Sequence, residues 1–249
     1  MTKKTEDFGG RILALVSHKL RTPLSIINGY SEAVMAQKTE ENFSPFTDKA
    51  LDEIHKQGQH MADLVYKLLQ FSKLIELENK PLEKTSLNLR ETLIDAVKKA
   101  ITFVTENRNL KTAVKGDTIT HGPFRVEISC PAKIAVMAEQ TLISTALTEL
   151  VENALKFNNK PEKVVKITCM ENVSNISISV KDEGPGLRPG EINKIFDKFY
   201  QVEDVFTGQV GGWGLGLPFV KTTAEMHGGM VSVVSDMGLG SVFSITIPN

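Results

Sequence analysis

Two stretches within the first 78 residues repeat apolar side chains at every third or fourth position. This spacing predicts two amphipathic helices that each bury one stripe. The first stripe comprises Ile12, Val16, Leu20, Pro23, Ile27, Tyr30 and Val34, and the second comprises Leu51, Ile54, Gly58, Met61, Val65, Leu68, Ser72 and Ile75. The connection near Gln37 to Thr47 contains Pro45, which ends one helix pattern and allows the next to begin. Two such helices cannot cover both stripes alone, so we expect a homodimer in which two hairpins form a four-helix bundle.

The composition is that of a globular protein and gives no indication that the chain binds nucleic acid or spans a membrane. The 249 residues are 41% hydrophobic and 24% charged, with a net charge of −1. This charge gives no electrostatic reason to bind nucleic acid. No apolar run approaches the roughly 18 residues of a membrane span, and the N-terminus has no signal-peptide core. We therefore expect a cytoplasmic chain without a membrane segment, in which Cys130 and Cys169 are two buried, reduced thiols.

The pattern changes after Asn79-Lys80-Pro81, which divides the chain into residues 1–80 and 81–249. Asn88, with Glu91 three positions later, predicts a helix N-terminus. Strands are predicted at Phe124–Ile128, Val164–Cys169, Ile176–Val180, Met230–Val234 and Val242–Ile247, and helices near 88–105, 139–157 and 215–227. Several strands alternate apolar with polar residues, which indicates a sheet with one face in water. The second region is therefore predicted to be an α+β domain, one sheet under a few helices.

His18 is the side chain of the first helix that stands out. At about 100° per residue it points away from the apolar stripe, and Thr22 lies one turn further on nearly the same face. An imidazole held in water on a rigid helix is open to another protein or domain, and it is a nucleophile when neutral. The four other histidines, His55, His60, His121 and His227, have no motif around them and are expected to be surface or packing residues.

Three segments beyond residue 80 carry residues suited to a phosphorylated ligand. Glu149, Asn153 and Lys156 or Phe157 share a helix face, where oxygen ligands suit Mg²⁺ and the ammonium suits phosphate. Asp182-Glu183-Gly184-Pro185-Gly186 places a carboxylate and two glycines directly after a strand, which suits a flat ligand with an exocyclic amine. Gly211 to Leu217 opens into a helix, whose N-terminal N–H groups attract anions. Taken singly, the first is equally a solvated helix face and the second an acidic turn, while Trp213 either packs on a ligand or caps a lid.

Together, in this order, these segments resemble the sensor histidine kinases of two-component systems, over almost the whole chain. Residues 17–23 resemble the family's phosphoacceptor box, 149–157 its N box, 182–186 its first glycine box, 196–200 its F box and 212–217 its second glycine box. The resemblance implies an all-α hairpin that forms a dimeric four-helix bundle. It also implies that an α+β sandwich of the Bergerat (GHKL) ATP-binding fold, shared with gyrase and Hsp90, follows the hairpin.

The resemblance also implies roles for individual residues. His18 matches the histidine that attacks the γ-phosphate of ATP, and Thr22 matches a position associated with dephosphorylating the partner. Asn153 matches the Mg²⁺ ligand, Lys156 a phosphate contact and Asp182 the adenine-reading carboxylate. Further nucleotide-binding positions implied by the family are Phe157, Gly184, Gly186, Phe199, Gly212, Gly214, Leu215, Gly216, Leu217 and Ser241. The implied cofactors are ATP and Mg²⁺, and the implied partner is the receiver domain of a response regulator.

Two positions depart from the family pattern. The residue after the phosphoacceptor histidine is commonly Glu or Asp, and here it is Lys19. An ammonium cannot accept the second imidazole proton, so Lys19 either slows the reaction, on the order of 10²-fold, or keeps His18 neutral while another group takes the proton. Glu149 stands where many members carry Asn, and we expect it to be an auxiliary site residue, either near Mg²⁺ or as a base that acts on water or on the histidine.

The sequence therefore predicts ATP-dependent autophosphorylation of His18 and transfer to an aspartate of a response regulator. Lys19 supports one alternative, a kinase-impaired scaffold that binds nucleotide and a regulator without phosphorylation. A chaperone- or topoisomerase-like ATPase is the third reading, and an exposed histidine on a dimer hairpin disfavours it.

Overall fold

A computed structural model describes residues 20–35, 45–78, 80–105, 111–202 and 212–249. The chain divides into two compact units, Met1–Leu69 and Gln70–Asn249. The division between domains at residue 80 remains a prediction. None of the helices within the described ranges is long and apolar enough to span a membrane.

Two helices form the described part of the first unit. Residues 20–35 are helical (α1), and α2 spans Pro45–Leu77, so that its last turns belong to the second unit. Pro23 is buried, and Tyr30 lies against Phe46 with ring centroids 6.5 Å apart. Thr22 is exposed, as the periodicity predicts. The predictions on His18 and Lys19 fall outside the described residues.

The predicted seam of α2 remains partly open within one chain. Ala50 and Leu64 are 0% and 1% exposed, whereas the seam residues Leu51 and Val65 are 46% and 47% exposed. Leu69, one position beyond the seam residue Leu68, is 64% exposed. Apolar side chains at this exposure on one helix leave a surface that a further helix would cover.

The second unit contains two sheets. A small antiparallel pair joins β1 (Thr85–Asn88) to β5 (Ala135–Ala138). The main sheet has seven strands in the order β2-β3-β4-β6-β7-β9-β8. These strands are β2 (Ala113–Lys115), β3 (Thr118–His121), β4 (Phe124–Ser129), β6 (Lys163–Glu171), β7 (Asn175–Lys181), β8 (Met230–Asp236) and β9 (Gly240–Pro248). All neighbours pair antiparallel except β4 and β6, which run parallel because the chain between them crosses over through a helix.

Three helices pack with this sheet: α3 (Leu89–Val104), α4 (Gln140–Lys156) and α5 (Gly216–Met226). The α4 helix packs between α3 and α5 and also contacts β6 and β7. On β6, Val165, Ile167 and Cys169 are buried while the residues between them are exposed, so one face of the sheet meets the helices and the other meets water. The predicted α+β layer is confirmed.

The predicted helix start at Asn88 is confirmed by its hydrogen bonds. The side-chain oxygen of Asn88 accepts the N–H of Glu91 at 3.2 Å, and its amide group donates to the Glu91 carboxylate at 3.2 Å. The five predicted strands are also present, each one to three residues longer in total than its predicted range. The short strands β1, β2, β3 and β5 and the second sheet were not predicted, because three or four residues show too little alternation to reveal a strand.

Candidate functional site

Asp182 is held in place by backbone hydrogen bonds directly after β7. Its side chain is 6% exposed, and Oδ1 accepts the N–H of Gly184 at 2.8 Å and the N–H of Ser241 at 3.2 Å. Burial raises the pKa of the Asp182 carboxyl above its ordinary value, and the two backbone donors oppose that rise by favouring the carboxylate. Both bonds reach one oxygen, so the carboxyl group is oriented by the protein before any ligand arrives.

The loop after Asp182 approaches its neighbours so closely that only glycine fits. A Cβ at Gly184 would lie 2.8 Å from the carbonyl oxygen of Phe157, at the end of α4. Gly186 has a φ of +71°, and a Cβ there would overlap the carbonyl oxygen of Asp236. The loop therefore lies between the C-terminal end of α4 and the turn that joins β8 to β9.

A pair of hydroxyl groups completes this side of the site. Ser241 is 7% exposed, and its Oγ lies 3.0 Å from the Oγ of Ser235. The Ser235 hydroxyl accepts the N–H of Leu187 at 2.8 Å and donates to the carbonyl of Gly240 at 3.0 Å. Because that donation uses its one hydrogen, the bond between the two hydroxyls is donated by Ser241. The sequence reasoning missed Ser235, since a single serine in a strand belongs to no motif.

The predicted polar face of α4 opposes the glycine loop that precedes α5. Glu149, Asn153 and Lys156 are each partly exposed on α4, and Phe157 at its C-cap is 47% exposed. A Cβ at Gly216 would overlap the Glu149 carboxylate, and a Cβ at Gly212 would lie 3.5 Å from Nζ of Lys156. The fold thus brings the N-box residues and the second glycine box together, as the sequence predicts.

The end of the F box packs against the glycine loop and is hydrogen-bonded to it. Phe199 is the only non-glycine residue with positive φ in the described ranges, at +65°, and its N–H donates to the carbonyl of Gly214 at 2.7 Å. A Cβ at Gly214 would lie 2.6 Å from the carbonyl oxygen of Tyr200, and Nε2 of Gln201 donates to the carbonyl of Gly212. Residues 199–201 therefore fix the loop from one side.

The start of α5 has the features of an anion-binding helix end. Leu215 occupies the N-cap position, and its side chain makes no capping hydrogen bond to the first turn. Leu217, in that turn, is partly exposed. Trp213 is 5% exposed and Leu215 3%, so both side chains anchor the loop in the core. Trp213 therefore packs within the protein.

His227 links the elements on which the site is built. It is 2% exposed, its Nδ1 donates to the carbonyl of Thr223 at 2.7 Å, and its Nε2 accepts the N–H of Glu139 at 3.0 Å. This arrangement requires the neutral ring, and burial lowers the His227 pKa. Glu139 is the N-cap of α4, so the end of α5 is tied to the start of α4. The expectation that His227 is a packing residue is confirmed.

A pocket of this construction, on a mixed sheet under helices, defines an ATP-binding domain of the GHKL class. Residues 138–249 match the family model described as histidine kinase-, DNA gyrase B- and HSP90-like ATPase, and residues 10–76 match the His Kinase A (phospho-acceptor) domain. The chain therefore carries the two domains of a sensor histidine kinase catalytic core, the phospho-acceptor domain first.

Relatives and solved structures agree with this assignment. The chain is 31% identical over 239 residues to the sensor-like histidine kinase SenX3 of Mycobacterium tuberculosis, covering 95% of this chain and 53% of SenX3. It is 28% identical over 236 residues to the sensor protein SrrB of Staphylococcus aureus, covering 95% of this chain and 37% of SrrB. The chain therefore spans about half the length, or less, of these relatives.

Two solved structures share the fold across nearly the whole chain. Histidine kinase ThkA in complex with response regulator protein TrrA has a TM-score of 0.68 at 22% identity, covering 99% of this chain and 64% of that one. Acinetobacter baumannii histidine kinase AdeS has a TM-score of 0.62 at 19% identity, covering 93% and 97%. At these identities the comparison establishes the arrangement of helices and strands.

Proposed function

We propose that the second unit binds ATP with its adenine against Asp182. The observation that carries this is the pair of backbone bonds to Oδ1, which orient the carboxyl group toward an exocyclic amine donor. Gly184 and Gly186 allow the loop after Asp182 to pack closely against Phe157 and Asp236, and the buried Ser241 lies next to Asp182 on the same side of the site. ShkA, a histidine kinase whose structure contains the ATP analogue AMPPNP, shares this fold with a TM-score of 0.59 at 23% identity.

The phosphates lie at the other end of the site in this proposal. The N-terminus of α5 and the loop from Gly212 to Gly216 present backbone N–H groups, and Lys156 adds a positive charge beside Gly212. Leu215 anchors the loop in the core and Leu217 lies partly exposed in the first turn of α5, while Phe157 and Phe199 bound the site at α4 and at the F box.

Mg²⁺ fits the oxygen ligands that α4 presents. Asn153 and Glu149 are one helical turn apart on the face toward the glycine loop, and both offer hard oxygen atoms. The ion would neutralise charge on the phosphates, and these two side chains would hold it together with phosphate oxygens.

The reaction we propose is nucleophilic transfer to His18. The unprotonated nitrogen of the neutral imidazole attacks the γ-phosphorus, an N–P bond forms, and the O–P bond to ADP breaks. The phosphorylated ring then releases the single N–H proton of its other nitrogen to water. The phosphoryl group then moves to an aspartate carboxylate on the receiver domain of a response regulator. In a second activity, Thr22 orients the water that removes the phosphoryl group from the aspartate of that partner. ATP and receiver domains both belong to the cytoplasm, which is where the proposal places the protein.

The exposed seam of α2 supports a homodimer through the hairpin. Leu51 and Val65 are nearly half exposed in the single chain, at the spacing of a coiled-coil interface. A second copy that packs its own seam against this one completes the four-helix bundle.

Incubation with γ-labelled ATP and Mg²⁺ tests the function. We expect acid-labile, alkali-stable label on the protein, and we expect His18→Gln to abolish it while Ser25→Ala, on the exposed face of α1, keeps it. Nucleotide binding without label or phosphate release would instead establish the scaffold, and phosphate release without label the ATPase. Lys19→Glu in the same assay shows whether the lysine slows transfer, and Thr22→Ala tests the phosphatase on phosphorylated regulator.

A further inference from the structure

Two cysteines outside the proposed ATP site lie where β4 ends beside β6. In the parallel pair of β4 and β6, Ser129 is in register with Thr168. The residue that follows each is a cysteine: Cys130 comes directly after the end of β4, and Cys169 lies within β6. Both thiols are free and buried, with exposed fractions of 7% and 5%.

The positions of the two cysteines are compatible with a disulfide. Ile128 and Ile167 lie two residues before Cys130 and Cys169 and are in register with each other. Both isoleucines are buried on the helix-covered face. Since side chains alternate along a strand, Cys169 points to that face too. Cys130, one residue beyond β4, is also buried. Adjacent strands lie about 4.8 Å apart, which is inside the range of about 4.4–6.8 Å between the Cα atoms of a disulfide.

The two thiols influence each other and differ in their surroundings. A hydrogen bond with Cys169 is the largest influence on the Cys130 pKa and lowers it; burial opposes this, the Arg90 guanidinium lowers the pKa further, and the Asp117 carboxylate raises it. The same hydrogen bond and burial raise the Cys169 pKa. Arg90 lies in the first turn of α3 and is ion-paired with Asp117, which places a fixed cation near one sulfur of the pair.

We propose that Cys130 and Cys169 form a dithiol site that hydrogen peroxide oxidises to a reversible disulfide. The Cys130 sulfur attacks one peroxide oxygen, the O–O bond breaks, and the products are the sulfenic acid of Cys130 and one water. The Cys169 sulfur then attacks Sγ of Cys130, the S–O bond breaks, and a second water leaves as the S–S bond forms. Two electrons pass from the thiols to the peroxide, and a dithiol reductant reverses the change.

The peroxide reaches the pair from the end of β4. Cys130 is followed by the turn residues Pro131, Ala132 and Lys133, all of which are exposed. A molecule the size of hydrogen peroxide needs only a small local opening of this turn, whereas glutathione disulfide would need a larger one. The site is therefore selective for small oxidants.

The disulfide would enclose the helix that carries the N box. Residues 131–168 contain β5, all of α4 and the start of β6. A cross-link at both ends of this crossover restricts the unfolded chain and holds α4 against the sheet. We expect the melting temperature of the second unit in the full-length dimer to rise by about 5–10 °C on oxidation.

Treatment of the reduced, full-length protein with hydrogen peroxide tests the site directly. After alkylation and digestion without reductant, we expect the peptides containing Cys130 and Cys169 to be joined, and dithiothreitol to separate them and restore the original melting temperature. Methionine sulfoxide is unaffected by dithiothreitol, so reversal separates the disulfide from oxidation at exposed methionines. Two fully alkylated cysteines, or sulfinic acid without a joined peptide, would overturn the proposal.

Single variants identify the attacking sulfur. With Cys169→Ser we expect the sulfenic acid to persist on Cys130 and react with dimedone, whereas Cys130→Ser leaves Cys169 unlabelled. Arg90→Gln is expected to slow disulfide formation about two- to fivefold at neutral pH. Arg125→Gln, an arginine of β4 paired with Glu127, is the matched control and leaves the rate unchanged. If dimedone instead labels Cys169 in the Cys130→Ser variant, then Cys169 is the sulfur that attacks the peroxide and the assigned order of attack is wrong.

Discussion

Replacement of Asp182 by asparagine is expected to weaken ATP binding while leaving the free energy of unfolding nearly unchanged. The amide oxygen that Asp182→Asn introduces can keep both bonds that Oδ1 now accepts, from Gly184 and Ser241. Burial already disfavours the charged carboxylate, as its raised pKa indicates, so a neutral amide relieves that cost while it weakens two charge-assisted bonds. We expect these effects to offset each other to within about 1 kcal/mol in the free energy of unfolding.

The same replacement places an NH₂ group where the second carboxylate oxygen meets the adenine amine. Two donors then face each other in a desolvated site, at a cost of about 2–4 kcal/mol, or roughly 30- to 1,000-fold in the dissociation constant for ATP. Asp182→Ala, in contrast, leaves the N–H groups of Gly184 and Ser241 buried without an acceptor, and we expect it to lower the free energy of unfolding by about 2–6 kcal/mol.

Calorimetric titration with ATP and Mg²⁺, alongside urea unfolding, measures both quantities. Asp236→Asn is the matched control, because Asp236 lies on the adjacent turn with an exposed side chain. ATP affinity of Asp182→Asn within about threefold of the wild type, with stability unchanged, would refute the assignment of Asp182 to the adenine amine.

Two further outcomes follow from the packing around the site. Gly186→Ala forces positive φ on alanine and drives its Cβ into the carbonyl of Asp236, so we expect a melting temperature about 5–10 °C lower, while Gly190→Ala, with open space around it, changes little. For His227, burial lowers the folded pKa below the unfolded value of about 6.5, so the unfolded chain binds the proton first. Stability contributed by the neutral ring is full above that value and falls as the pH drops below it, by up to about 1.4 kcal/mol per unit. Urea unfolding at pH 7.5 and 5.5 measures this loss, and an equal loss in His227→Gln would contradict the assignment.

Secondary-structure elements with a long or locally complete pattern were predicted from the sequence alone. The strands β6, β7 and β9 alternate over seven to nine residues, and Asn88 with Glu91 forms a local cap, so each was predicted from neighbours along the chain. Asp182 and the glycines stood out because their motifs are also local.

Features that depend on contacts distant in sequence were not predictable in this way. Ser235 acquires its role from Leu187 and Ser241, which approach it only after β8, β9 and the loop beyond β7 come together. The contact between Cys130 and Cys169 depends on the register of a parallel pair, and sequence alone leaves that register undetermined. The role of Trp213 required its burial to be known.

The place of β9 in the sheet bears on how the protein is made. β9 follows every other described strand in the chain, yet it lies between β7 and β8 and supplies the Ser241 N–H that orients Asp182. During synthesis, an emerging chain that has reached only β8 has no β9 to join β8 to the rest of the sheet and leaves the edge of β7 open. The nucleotide site therefore forms only after β9 has been synthesised, and ATP binding distinguishes chains that contain β9 from shorter ones.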